Sequence, residues 1–252
     1  MLEKIRQFGR KLAPRSESHN RPTAPVIYDF GMNNGDDVEY LLLKCDRVVG
    51  VDANASLCKL ATERFAPDIA AGRLTIVNVA LAERESAEPL TFYIHKTNHV
   101  LSQLPKPEAE VRDEFEAVRV PSRTPASIVR EFGPPLYVKI DVEHYDHKVL
   151  RNLFSAGIRP PFISAESHSI AVFACMVENG YDRFALVEGR SVQDVYAAAA
   201  IESLAGPREF AFKDHMAGPF GDDIDAPWQD ADTFFQTLAG AELGWKDIHA
   251  RR

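Results

Sequence analysis

From Val26 onward, short apolar runs that end in a polar residue alternate with stretches of helical spacing. Val26–Phe30 is an almost continuous apolar run closed by a glycine turn, as expected of a strand buried on both faces. Residues 36–44 follow with Val38, Leu41 and Leu42 on one helical face, and residues 47–52 form a second apolar run. Asn54 is placed to cap a helix running to Phe65, and Leu74–Asn78 predicts a third strand. The alternation then loosens. Residues 90–94 and 117–120 read as strand pieces around a polar segment, 96–114, that is expected to be an active-site loop or lid.

Pro125–Phe132 predicts a helix with proline in its first turn, and residues 136–141 a fourth strand. Next come a helix over 148–156, a fifth strand over 162–166, and a helix over 170–179 that presents Ile170, Phe173, Met176 and Val177 on one face until Gly180 stops it. Candidate strands at 183–187 and 209–212 precede a tail at 219–252. Strands and helices alternating at this spacing imply βαβ units, so the fold class is α/β, with a mostly parallel central sheet flanked by helices on both faces. The expected division is an N-terminal helix and linker over 1–25, one domain over 26–217, and a C-terminal extension over 218–252 packing on the domain or on a partner. Trp228 and Trp245 in that extension make a homodimer contact one of its possible uses.

Composition narrows the partners. Of 252 residues 29 are basic and 37 acidic, a net charge of −8, which disfavours nucleic acid and its many phosphate contacts and favours a small-molecule or glycan acceptor. No apolar run approaches the roughly 20 residues of a transmembrane segment. Three scattered cysteines, Cys45, Cys58 and Cys175, suggest neither a disulfide framework nor a zinc ribbon, so a cytoplasmic location is expected. Residues 1–12 place Leu2, Ile5, Phe8 and Leu12 at helical spacing among basic residues, without the features of a secretory signal. Such a helix either docks on the fold or touches an anionic surface or partner.

Ligands in open α/β sheets bind beyond the carboxyl ends of the strands, where Asp29, Asp52, Asn78, Asp141 and Glu166 fall. The turn Asp29-Phe30-Gly31-Met32-Asn33-Asn34-Gly35 stands between strand and helix, where Gly31 and Gly35 permit a tight backbone. Its spacing is not the G-x-G-x-x-G of dinucleotide sites, and an acid precedes the first glycine. That suits a ligand carrying an ammonium and a sulfonium better than a pyrophosphate. Asp52, 17 residues after Gly35, is placed to accept the hydroxyls of an adenosine ribose, and Asn78, Val79 and Ala80 to meet the adenine. S-adenosyl-L-methionine is the expected cofactor, bound by Asp29, Gly31, Asn33, Gly35, Asp52, Asn78, Val79, Ala80 and Asp141.

With these residues in view, the chain resembles the FkbM-type methyltransferases, a branch of the Rossmann-like S-adenosylmethionine enzymes. The resemblance rests on residues 29–35 against D-x-G-x-N-x-G, on Asn78-Val79-Ala80-Leu81, on Val138-Lys139-Ile140-Asp141-Val142-Glu143 and on a late strand ending in Glu166. It implies a Rossmann-like methyltransferase fold and an acceptor hydroxyl on a sugar, glycan or secondary metabolite. His144 and Asp146 depart from the glycine and glutamate usual there.

A hydroxyl acceptor needs a proton acceptor or a bound cation. The densest candidates are Asp141, Glu143, His144, His147, Glu166 and His168. Asp141 is expected near the sulfonium, and Glu143, His144 or His168 at the acceptor proton. His147 reads as a surface residue at a helix start, and Lys139 as a snorkelling or acid-paired side chain. A divalent metal is possible through two carboxylates and two imidazoles, but none is predicted. His95 and His99 stand in the lid segment, where they could reach the acceptor. Two competing readings remain. One is an NAD-dependent sugar oxidoreductase or epimerase, which would need G-x-G-x-x-G and usually Tyr-x-x-x-Lys; the other is a non-catalytic, cofactor-binding partner subunit.

Overall fold

The computed structural model describes residues 24–252, so nearly all of the N-terminal helix and linker expected over 1–25 lies outside the described residues. Seven strands form one sheet: β1 (Val26–Phe30), β2 (Val48–Asp52), β3 (Leu74–Asn78), β4 (Pro135–Ile140), β5 (Phe162–Ser167), β6 (Arg183–Glu188) and β7 (Gly244–Arg251). Their spatial order is β6-β7-β5-β4-β1-β2-β3, with β7 antiparallel to both its neighbours and the pairs from β5 to β3 parallel. The chain steps outward from β1 to β3, then returns to the other side of β1 as β4. The β1/β4 boundary is therefore the switch point, where two connections leave in opposite directions and open a crevice.

Both faces of the sheet are covered. Along β1, Val26, Tyr28 and Phe30 pack into one apolar cluster with the helices Pro125–Phe132, Asp146–Ser155, Ile170–Glu178 and Ala231–Gly240. Ile27 points the other way, into a cluster with the helices Val38–Lys44 and Ala55–Arg64. That double burial is why the strand reads as unbroken apolar sequence. Caps set the helix starts: Asn54 accepts from the Ser56 amide, Thr124 from that of Ser127, and Ser169 from that of Ala171. Leu90–His95 and Phe115–Val120 pair as a separate antiparallel ribbon joined by the expected polar loop.

Two expectations change. The division at residue 217 is not one the sheet follows, because Gly244–Arg251 is inserted between β5 and β6 as an inner strand rather than packed on as an extension. Its Ile248 and Ala250 enter the first cluster, while Asp247 and His249 are buried on the other side. Buried polar residues broke the apolar run that marks an inner strand, and antiparallel pairing to distant segments leaves no local signature. The second change is a hairpin, Ala199–Ser203 with Gly206–Phe210, where one strand at 209–212 was expected. Among the described residues no helix is long and apolar enough to cross a membrane.

Candidate active site

The turn after β1 is held by its backbone. Gly31 (φ 86°), Asn33 (φ 54°) and Gly35 (φ 83°) are left-handed. A Cβ on Gly31 would lie 1.7 Å from the Asp141 carbonyl oxygen, so the glycine lets the ends of β1 and β4 touch. Gly35 instead faces the Phe65 ring and lines none of the hollows described below. The Asn33 and Asn54 amides donate to the two oxygens of Asp52, at 2.8 and 2.7 Å. Burial nevertheless pushes the Asp52 carboxyl up to about 6, against the lowering effect of those amides.

Three adjoining hollows run along this edge, and Gly31 and Asp141 line all of them. An apolar slot of about 60 Å³ is walled by Val79, Ala80, Leu81, Phe92, Leu104 and Tyr145. A polar hollow of similar size holds Asn33, Asp52, Asn54 and His99. The largest, about 720 Å³, is faced by Asp37, Glu143, His144, Glu166, His168 and Trp245. Its Trp245 indole fits against Gly189, where a Cβ would lie 2.3 Å from Nε1.

Expected residues divide accordingly. Gly31, Asn33, Asp52, Val79, Ala80 and Asp141 converge on the hollows, as do Glu143, His144 and His168. Asp29 does not. It is fully buried under the turn, 3.3 Å from Lys139 Nζ, and its other carboxylate oxygen has no partner among the described residues. Asn78 is exposed at the end of β3 and donates to the Asp52 carbonyl rather than facing the slot. His95 is tied to Glu114 and to the Thr97 and Asn98 amides inside the ribbon, whereas His99 lines two hollows. His147 faces a separate hollow behind the site.

Lys139 anchors the floor, 3.2–3.3 Å from Asp29, Asp37 and Asp141. Burial disfavours its charge, but Asp29, Asp141 and Asp37 outweigh that and raise the ammonium well above the usual lysine range. At the far wall, His168 Nε2 lies 2.7 Å from Glu166 and 3.3 Å from Glu143. Neither carboxylate is aligned for a directed hydrogen bond to it. The contacts with Glu143 and Glu166 raise the imidazole to about 10. Sequence reasoning missed Asp37, Tyr145, Phe92 and Leu104. None ends a sheet strand, and only the ribbon's fold over the sheet brings Phe92 and Leu104 to the crevice.

A methyltransferase FkbM domain matches residues 29–196, from the glycine turn through the far wall and beyond. The chain belongs to the FkbM methyltransferase family. No curated protein sequence matches this FkbM chain. An FkbM methyltransferase from Methylobacillus flagellatus KT shares 13% identity over 68% of this chain and 42% of its own, with a TM-score of 0.39. This chain thus spans less than half of that protein. The precorrin-8w decarboxylase of Methanobacterium thermoautotrophicum shares 8% identity over 92% and 83% of the two chains (TM-score 0.40). An rRNA methylase from Streptococcus thermophilus shares 9% over 92% and 88% (TM-score 0.39). These superpositions are loose, and membership rests on the domain match. The Rossmann-like sheet, mainly parallel and helix-covered, is that of a methyltransferase fold. Tyr40 and Lys44 have the Tyr-x-x-x-Lys spacing of epimerases, but both bond Asp223 on the far side of their helix and line none of the three hollows.

Proposed function

We infer that the chain is an S-adenosyl-L-methionine-dependent O-methyltransferase acting on a hydroxyl of a sugar, glycan or other small metabolite. The observation that carries this reading is the amide-held, partly buried Asp52 carboxylate between an apolar slot and an acid-lined cavity, all sharing the Gly31/Asp141 ridge. The donor set fits the cofactor: the slot takes a flat aromatic base, Asp52 keeps free lone pairs for vicinal hydroxyls, and Asp141 offers negative charge to a sulfonium and an ammonium. Bound there, S-adenosyl-L-methionine supplies an electrophilic methyl group.

The chain's own residues then position and exclude. Phe92, Leu104 and Tyr145 would screen the base from water, while Asp141, fixed by the Lys139 ammonium and by the hydrogen bond its N–H donates to the Phe30 carbonyl (2.8 Å), would hold the charged end of the donor beside the large cavity. An acceptor in that cavity meets Trp245, whose indole offers an apolar face to a sugar ring, and the carboxylates of Glu143 and Glu166, one of which receives the hydroxyl proton, with His168 beside them. The excess of acids around the cavity argues against a polyanionic acceptor.

Calorimetry with S-adenosyl-L-methionine, S-adenosylhomocysteine and NAD tests the reading. Binding of the first two only is expected, and NAD binding in their place would overturn it. Incubating the chain with labelled donor and a glycan and metabolite mixture then finds the acceptor; a label on nitrogen or carbon would refute the O-methyl assignment.

A further inference from the structure

The far wall carries more ligating chemistry than proton transfer needs. Glu143, His144 and His168 each present a donor atom within 4.8 Å of the other two. Ligands at about 2.0–2.2 Å around a tetrahedral ion stand roughly 3.3–3.6 Å apart, so small side-chain rotations would close the set on a metal. The His144 and His168 rings already lie 4.6 Å apart, centroid to centroid.

Two independent features point the same way. His144 holds a left-handed backbone (φ 61°), uncommon for a residue other than glycine, and its ring stands beside that of His168. Behind it, the hollow lined by His144 and His168 is also lined by Asp146, a carboxylate 2% exposed. Neither of its oxygens has a partner among the described residues. Imidazoles bound to a metal through one nitrogen commonly give the other N–H to such an acceptor, which holds the ring in place. An orphaned buried carboxylate beside two imidazoles is thus an outer acceptor waiting for ring protons.

We propose that Glu143, His144 and His168 bind one divalent transition-metal ion, of the zinc or manganese class, at the wall of the large cavity, with Asp146 orienting the imidazoles. Two imidazoles and one carboxylate favour such an ion over magnesium or calcium, which prefer all-oxygen sites. The binding claim stands by itself. That the ion also lowers the cost of deprotonating an acceptor hydroxyl rests on the methyltransferase reading above.

The test uses the full chain, stripped with a chelator and titrated calorimetrically with Zn²⁺ and with Mn²⁺, the latter also followed by electron paramagnetic resonance. One ion per chain is expected, with affinity at least tenfold weaker in His144→Gly and in His168→Gln. Glycine adopts the backbone of residue 144 without strain, so His144→Gly should unfold at the same temperature as the parent or higher, which separates lost ligation from lost folding. Absence of saturable binding, or affinity equal in all three proteins, overturns the site. S-adenosylmethionine titrated into the same stripped protein reads the cofactor site separately: failure there with metal binding intact sinks the proposed function and leaves the metal site standing.

Discussion

The two sides of the switch point solve the problem of buried charge differently. On the β2 side Asp52 is only partly buried, and each of its oxygens accepts a backbone amide, one from the glycine turn and one from the start of the following helix. On the β4/β5/β7 side Asp29, Asp37, Asp247 and Asp146 are all buried, with Lys139 as the one buried lysine among them. Burial raises the carboxyl of each, most of all where no partner is near. One edge is a finished mould. The other holds a surplus of negative charge that folding alone leaves uncompensated, and that surplus suits cationic ligands.

The contrast breaks most completely at Lys139, the cation shared by the floor of both edges. Lys139→Met should cost about 3–5 kcal/mol in urea unfolding, the scale for removing one partner of a buried ion pair. A loss below about 1 kcal/mol would mean that the acids are neutral already and that no surplus exists. Gly31→Ala comes next, because its Cβ would overlap the Asp141 carbonyl and hold an unfavourable φ. We expect it to lower stability by at least about 2 kcal/mol, which for a chain of this size moves a calorimetric Tm by roughly 4–8 °C. An unchanged Tm would show that the two strand ends can part freely.

At the finished edge the effects fall on binding rather than folding. Asp52→Ala should weaken S-adenosylmethionine by about 1.5–3 kcal/mol, as expected for charge-assisted hydrogen bonds. Full affinity in that variant would move the ribose elsewhere. The smallest effect is a pH dependence. Because the folded Asp52 carboxyl is raised to about 6, it must lose a proton to bind as a carboxylate, so affinity falls as pH drops below 6, by about tenfold per unit. The same shift has the opposite sign for stability: the raised carboxyl penalises the folded state above pH 6, and that penalty is relieved as pH falls toward the ordinary aspartate value. Asp52→Asn should flatten the binding profile between pH 5 and 7. A variant that keeps the parent's slope would assign the titration to another group.

Legibility followed the same boundary. β1, β2 and β3 were plain because each parallel strand is locally continuous and followed by a turn or helix start of recognisable chemistry. Asp52 was plain for the same reason, being a carboxylate at a strand end in step with a glycine turn. Asp29 shows the limit of that reasoning: a strand-end position does not say whether a side chain faces the crevice or the floor beneath it. The apolar slot was invisible beyond Val79 and Ala80, since Phe92 and Leu104 arrive from a ribbon far along the chain. β7 was read as part of a tail because Asp247 and His249 are buried by tertiary neighbours rather than by apolar character.

By itself the sequence determined the α/β class, the glycine turn and the acids at the strand ends, because each depends on residues within a few positions of one another. The tertiary structure alone decided which acids meet solvent, which rest on Lys139, where the last strand inserts and that Asp146 lies stranded beside two histidines. Those outcomes depend on desolvation and on charge–charge distance, and both are set by segments distant along the chain.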